Sequence, residues 1–287
     1  MLFFIAGITG NVGGATARHL LKDGHSLRAL VRDATKAKPW ADQGVELVKG
    51  DWNDTASLTR ALTGVDGAYL MMPPTQTPSR DFREAKAVIA SYQQAIREAR
   101  PKKLVLLSSF GSEQTSGIGL ITSTHLLEEG VGNLGIPTAV MRPGGFFENY
   151  TAQVAPTRQS GTLYSFYQPV ERKLLMTATA DIGAEAAKLL TSEFTGKRIV
   201  EIGTEYSPAD IAATMTEVFG QPITAQAVPR DHWSGVLQQF GLPAEHTWAY
   251  EEMIEAINSG HIHHNVPGTE PVPGTITPTQ FFQGLNR

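Results

Sequence analysis

The chain opens on an apolar run, Leu2-Phe3-Phe4-Ile5-Ala6, and passes at once into Gly7-Ile8-Thr9-Gly10-Asn11-Val12-Gly13 before a helical stretch from Gly14 to Leu21. Few local patterns restrict a fold more. Gly7 permits a tight turn, Gly10 lets main-chain N–H groups approach an anion, and Gly13 lets the helix lie close to the strand. A diphosphate would sit at the helix N-terminus, where unpaired N–H groups and the positive end of the dipole converge. A second strand, Leu27-Arg28-Ala29-Leu30-Val31, arrives where a strand–helix–strand unit needs it. Gly7, Thr9, Gly10, Asn11, Val12 and Gly13 are therefore the expected cradle of a dinucleotide.

The end of the second strand lies beside the adenosine ribose of such a ligand, so its residues select the nucleotide. An acidic residue there accepts from both ribose hydroxyls. Here Arg32 follows Val31 directly and Lys36 comes one helical turn later, a planar fork and a mobile ammonium suited to a 2′-phosphate. NADP(H) is the preferred cofactor, and Asp33 leaves NAD(H) open. A third strand, Val45 to Val48, ends in Gly50-Asp51-Trp52, placing Asp51 to accept from the adenine amino group and Trp52 to cover the ring.

Strand and helix patterns then alternate. Asn53 or Asp54 caps a helix from Thr55 to Thr63, Gly67 to Met71 reads as a fourth strand, and an amphipathic helix runs from about Asp81 to Arg100. Lys103 to Leu107 forms a strand ending in Ser108-Ser109, a helix spans roughly Gly119 to Gly130, and Thr138 to Met141 forms another strand. Five or six parallel strands covered on both faces are expected: an α/β, Rossmann-type doubly wound sheet. Regular alternation fails beyond Arg142-Pro143-Gly144-Gly145. The expected division is a nucleotide-binding domain over 1–150 with a return segment near 175–202, and a smaller α+β domain over 151–287. Met176 to Ala180 should rejoin the main sheet, with Arg198 to Ile202 as its last strand. Ser207 should cap a helix with Pro208 at its first position, helices should lie near 231–240 and 243–258, and the last twenty residues should be irregular.

In open α/β sheets the ligand lies outside the carboxyl ends of the strands. Met71-Met72-Pro73, Ser108-Ser109 and the segment from Arg142 to Phe147 should therefore face one crevice. Pro143, Gly144, Phe146, Phe147 and Asn149 are the expected walls of its substrate pocket. Short-chain dehydrogenases place a Tyr-x-x-x-Lys pair on the next helix, because lysine lowers the tyrosine pKa and tyrosine protonates the carbonyl. None of the seven tyrosines has a lysine four residues on, and the helix reads Thr122-Ser123-Thr124-His125-Leu126-Leu127-Glu128-Glu129.

These stretches carry a family resemblance: GITGNVGG at 7–14, VRDATK at 31–36, GVELVKGDWNDTASL at 44–58, LLSSFG at 106–111 and MRPGGFFEN at 141–149. The chain resembles the NmrA-like branch of atypical short-chain dehydrogenases, most closely over its first 190 residues. That branch includes NADPH-dependent quinone and dye reductases and inactive NADP-sensing regulators. Its members often carry His-x-x-x-Glu or Lys-x-x-x-Glu where the tyrosine motif would lie. His125 with Glu129 matches that spacing, whereas counting back from Gly135 selects Thr124 with Glu128. The resemblance thus makes His125 or Thr124 the candidate catalytic position. Glu128 and Glu129 otherwise read as solvated helix charges, and Ser108 and Ser109 as cofactor-loop hydrogen bonders, since no histidine–carboxylate relay is placed to activate them.

Composition narrows the partners. A formal charge of −4 and the lack of any basic run argue against direct nucleic-acid binding. With no cysteine, thiolate chemistry and disulfides are excluded. No apolar stretch approaches the roughly 20 residues of a membrane helix, and the first strand begins at residue 2, so a cytoplasmic protein is expected. His261, His263 and His264 lack a helix-facing pair and an acidic neighbour within the run, and no metal is expected there. Two functions follow: hydride transfer from NADPH to a quinone-like or conjugated small-molecule acceptor, or an NADP(H) redox sensor that acts through a regulatory protein partner. A homodimer remains open.

Overall fold

In the computed structural model, which describes residues 1–285, the first half of the chain alternates strand and helix. It runs β1 (Leu2–Ile5), α1 (Asn11–Lys22), β2 (Ser26–Val31), α2 (Ala34–Ala41), β3 (Glu46–Lys49), α3 (Thr55–Leu62), β4 (Gly67–Met71), α4 (Arg83–Ala99), β5 (Leu104–Leu107), α5 (Thr122–Val131) and β6 (Thr138–Pro143). These strands lie in the order β3-β2-β1-β4-β5-β6, and every pairing is parallel. The order reverses between β1 and β4, the place where open sheets of this kind bind ligands.

The second half supplies β7 (Gly145–Phe146), α6 (Val154–Ser160), β8 (Thr162–Ser165), β9 (Leu174–Thr177), α7 (Thr179–Thr191), β10 (Lys197–Ile202), β11 (Thr204–Tyr206), α8 (Pro208–Phe219), β12 (Thr224–Ala227), α9 (Trp233–Gln239), α10 (Thr247–Ser259), β13 (Glu270–Val272) and α11 (Pro278–Leu285). β10 adds in parallel to β6, as expected of Arg198 to Ile202, and β13 adds to β10, so the six strands of the first half grow to a sheet of eight.

Its central strands are apolar along their whole length because helices cover both faces. Phe3, Phe4 and Ile5 of β1 and Leu104, Val105 and Leu106 of β5 are fully buried. One cover is α7 lying across α1. A Cβ on Gly183 would fall 2.4 Å from the Ala15 Cβ, so only glycine permits this helix–helix approach. Two caps fall where the sequence puts them. Asp54 accepts from the Ser57 N–H at 3.2 Å to start α3, and Ser207, with Pro208 next, forms a reciprocal capping box with Asp210 at the start of α8.

Three expectations are corrected. The apolar run at Met176 does not rejoin the main sheet, because β9 pairs with β11 and β7 in a separate three-stranded sheet. The last twenty residues are not irregular, since they contain all of β13 and all of α11. β13 also lies at the edge of the main sheet, although its stretch was assigned to the smaller unit. A second core, including Phe147, Leu163, Ile211, Met215 and Phe282, gathers around α8 and the two-stranded β8–β12 sheet.

Candidate functional site

The turn after β1 is shaped by its glycines. Gly7 has a φ of +62°, which side-chain-bearing residues rarely adopt, and a Cβ there would meet the Met71 Sδ at 2.7 Å. A Cβ on Gly13 would lie 2.4 Å from the Gly7 carbonyl oxygen and 2.8 Å from that of Ala6. Helix α1 is therefore pressed against the strand end. Gly10 is its N-cap, offers no side-chain acceptor, and is followed by a first turn without an acidic residue. The N-terminal amides and the dipole of a twelve-residue helix thus face solvent beside the exposed Thr9, Gly10 and Asn11, an arrangement matched to a diphosphate.

Arg32 and Lys36 are exposed, and among the described residues neither side chain has a hydrogen-bond or ion-pair partner. Asp33 between them is engaged. Its carboxylate accepts from the Thr35 N–H at 2.9 Å and the Lys36 N–H at 3.4 Å, capping α2. The one acid at this strand end is thus turned into its own helix, while two cations stay free. A cleft of about 370 Å3 joins Gly7, Thr9, Arg32, Lys36 and Trp52. A second, of about 640 Å3, shares Arg32 and Trp52 with it and adds Asp51, Met72, Pro73 and Arg83. Arg83, at the start of α4, is a charge that sequence reasoning did not single out. Asp51 accepts from the Asn53 N–H at 3.1 Å, and Trp52 sits edge-on to Tyr92, whose hydroxyl donates to the Met71 carbonyl at 3.0 Å.

Beyond β5 and β6 the polar groups form closed networks. Glu128 is not a solvated helix charge. It is 3% exposed, while Glu129 faces solvent. Its carboxylate takes a bidentate pair from Arg142, Nε to Oε1 at 2.9 Å and Nη2 to Oε2 at 2.7 Å, and also accepts from the Ser108 hydroxyl. Arg142 Nη1 reaches Glu113 at 3.0 Å, and the register of β6 with β10 sets Glu201 beside Arg142. Burial works against the charge on Arg142, but the carboxylates of Glu128, Glu113 and Glu201 outweigh it and raise the guanidinium pKa. An arginine within an otherwise apolar strand was the available signal for a buried acidic partner.

Thr124 donates to the Ile121 carbonyl at 2.8 Å and meets the Ser112 hydroxyl at 2.8 Å. The neighbouring His125 is half-buried, with Nδ1 placed to donate to the Ser112 carbonyl at 2.9 Å. Ser109 donates to the Phe110 carbonyl at 3.1 Å. Pro143 and Gly144 are buried, Phe146 is half-buried and Asn149 is exposed. A Cβ on Gly144 would lie 2.0 Å from the Leu175 carbonyl oxygen, so β9 closes directly over this turn. Phe147 does not wall a crevice. It is fully buried in the second core, with Tyr206 and Phe281 each at 5.8 Å between ring centroids. In the histidine run, His264 pairs with Glu205, and His261 Nε2 lies 3.0 Å from the Ser116 carbonyl.

The model of the NmrA-like family matches residues 2–268. Quinone oxidoreductase 2 of Escherichia coli is 25% identical over 243 residues, covering 83% of this chain and 82% of its own length. The NAD(P)H azoreductase of Xenophilus azovorans is 26% identical over 262 residues, covering 90% and 85%. Among solved structures, that of an NADPH-dependent quinone oxidoreductase from Escherichia coli complexed with NADPH superposes over 100% of both chains, with a TM-score of 0.82 at 23% identity.

Proposed function

Because this chain belongs to the NmrA-like family, we propose that it is an NADP(H)-dependent reductase passing hydride to a flat conjugated acceptor of the quinone or azo-dye class. The observation that carries this reading is the pair Arg32 and Lys36, free beside a glycine-shaped helix N-terminus whose one nearby acid, Asp33, is spent on capping. The names of the quinone oxidoreductase and azoreductase relatives support the acceptor class.

In this reading the amides of Asn11, Val12 and Gly13 hold the pyrophosphate, Arg32 and Lys36 hold the 2′-phosphate, and Asp51 and Trp52 border the adenine. Met72, Pro73 and Ser109 flank the nicotinamide. When bound, NADPH supplies the hydride. The chain's own part is to orient and to exclude water. Thr124 and Ser108 are committed to internal hydrogen bonds, so neither presents a free proton to an acceptor. A quinone spreads developing charge over its ring system and can take its proton from water, so it needs less acid help than a ketone.

The same closed networks favour a second reading, a non-catalytic NADP(H) sensor, which needs only unequal nucleotide affinity in two conformations. One experiment separates them. NADPH oxidation is followed by absorbance against a panel of quinones, azo dyes and ketones, with NADPH affinity measured calorimetrically in parallel. Turnover of quinones or dyes and not ketones is the expected result. Tight binding without turnover on any acceptor selects the sensor.

A further inference from the structure

A cleft of about 820 Å3 shares no lining residue with the two clefts beside the glycine turn. Its floor is one face of the two-stranded β8–β12 sheet. Strand alternation sends Leu163 into the second core, beside Ile211 and Met215 of α8, and turns Tyr164 and Phe166 the other way. The paired strand adds Gln226 opposite Tyr164, with Val228 just beyond its end. Helix α6 walls it through Pro156, and α9 through Val236 and, just past the helix end, Phe240. Trp233 lies edge-on to Phe166 with centroids 6.3 Å apart and keeps its ring in place.

The surface chemistry of this groove is specific. Tyr164 and Phe240, 53% and 59% exposed, are two of the four large hydrophobic side chains left open among the described residues, and both line it. Its lining includes no Asp, Glu, Lys or Arg, and His232 is its one basic side chain, so a cationic ligand would lose water without gaining a counter-charge. Four glutamines, Gln153, Gln159, Gln226 and Gln239, supply donors and acceptors around the apolar floor. The volume falls within the roughly 300–1,000 Å3 of small-molecule sites, which pair an apolar lining with a few polar groups.

We propose that this groove is a second ligand site, separate from the nucleotide, for a neutral, flat aromatic molecule with hydrogen-bonding substituents. Tyr164 and Phe240 clasp its faces, and the glutamine amides fix its polar edge. The site stands independently of the reductase reading, because binding here needs neither nucleotide nor turnover.

The test is a fluorescence titration of the full chain with Nile red, a neutral planar probe, with and without NADPH, using wild type, Tyr164→Glu and Phe240→Glu. Both side chains are exposed, and circular dichroism with thermal melts checks that the variants fold. The expected result is saturable enhancement, unaffected by NADPH and weakened about tenfold in each variant, the order of one aromatic contact. Unchanged affinity in either folded variant, competition by NADPH, or no enhancement in wild type overturns the proposal. Dimerisation abolished by Phe240→Glu in a wild type that ignores the probe also overturns it, in favour of a second copy of the chain.

Discussion

Arg142 and Glu128 face each other with side chains only 5% and 4% exposed, joined by two parallel hydrogen bonds between β6 and α5. Glu113 and Glu201 stand on the same guanidinium. The two members of the pair are therefore unequal. Arg142→Met strands the buried carboxylates of Glu128 and Glu201 and the half-buried one of Glu113, and should cost about 3–5 kcal/mol, the usual result of breaking a buried pair. Glu128→Gln leaves the guanidinium its other two acids and should cost less, about 1–3 kcal/mol. Urea unfolding of the two variants checks this order, and equal losses would contradict it.

Arg32→Ala should weaken NADPH by about ten- to a hundredfold, the range of a charge-assisted hydrogen bond, and leave NADH nearly unchanged. Asp33→Ala removes only the α2 cap, costs about 1 kcal/mol of stability, and keeps the NADPH preference. Calorimetry with both nucleotides separates the two roles. Parallel losses for NADPH and NADH in Arg32→Ala refute the 2′-phosphate assignment.

A methyl group at Gly13 meets two carbonyl oxygens, at 2.4 and 2.8 Å, and backbone cannot swing away as a side chain can. Gly13→Ala should lose about 1–3 kcal/mol through overpacking and bind neither nucleotide. Gly235 in α9 has nothing within 4 Å of a built Cβ. Gly235→Ala should therefore gain about 0.5–1 kcal/mol and leave nucleotide binding intact. Thermal melts with and without NADPH read both effects.

Tyr69 is fully buried in β4, and its hydroxyl has no partner among the described residues. Replacing it with phenylalanine keeps the ring and removes an unsatisfied group, so Tyr69→Phe should be neutral or more stable by about 1–2 kcal/mol at neutral pH. Burial raises the Tyr69 pKa far above 10.0. Above that value the unfolded chain releases the phenolic proton while the folded one retains it, so stability falls as pH rises. The variant should lose less stability than wild type between neutral and about pH 11. Urea midpoints at the two pH values measure the difference, and a steeper alkaline loss in Tyr69→Phe would reverse the assignment.

The first half of the fold was legible because strand and helix periods alternate there without interruption, and because Gly7, Gly10 and Gly13 each answer a different steric demand. Arg32 was legible for the same local reason, as the residue directly after a strand. Glu128 was not. Two adjacent acids on a short helix give no sign of which faces inward, and only the strand bearing Arg142 decides it. Phe147 misled because a phenylalanine after a Pro-Gly-Gly turn suits a pocket and a core equally. β9 misled because four apolar residues specify burial but not which sheet buries them.

The strand at one edge of the main sheet, β13, is three residues long and reaches its place against β10 from late in the sequence. Until residues 270–272 have left the ribosome, β10 offers a bare row of amides and carbonyls to any extended neighbour. Once β13 docks, Pro271 lacks the N–H that a further strand would use, and Glu270 holds its edge with a charge anchored to Arg198. At this edge the hazard of fibrous self-pairing is thus confined to the period of synthesis.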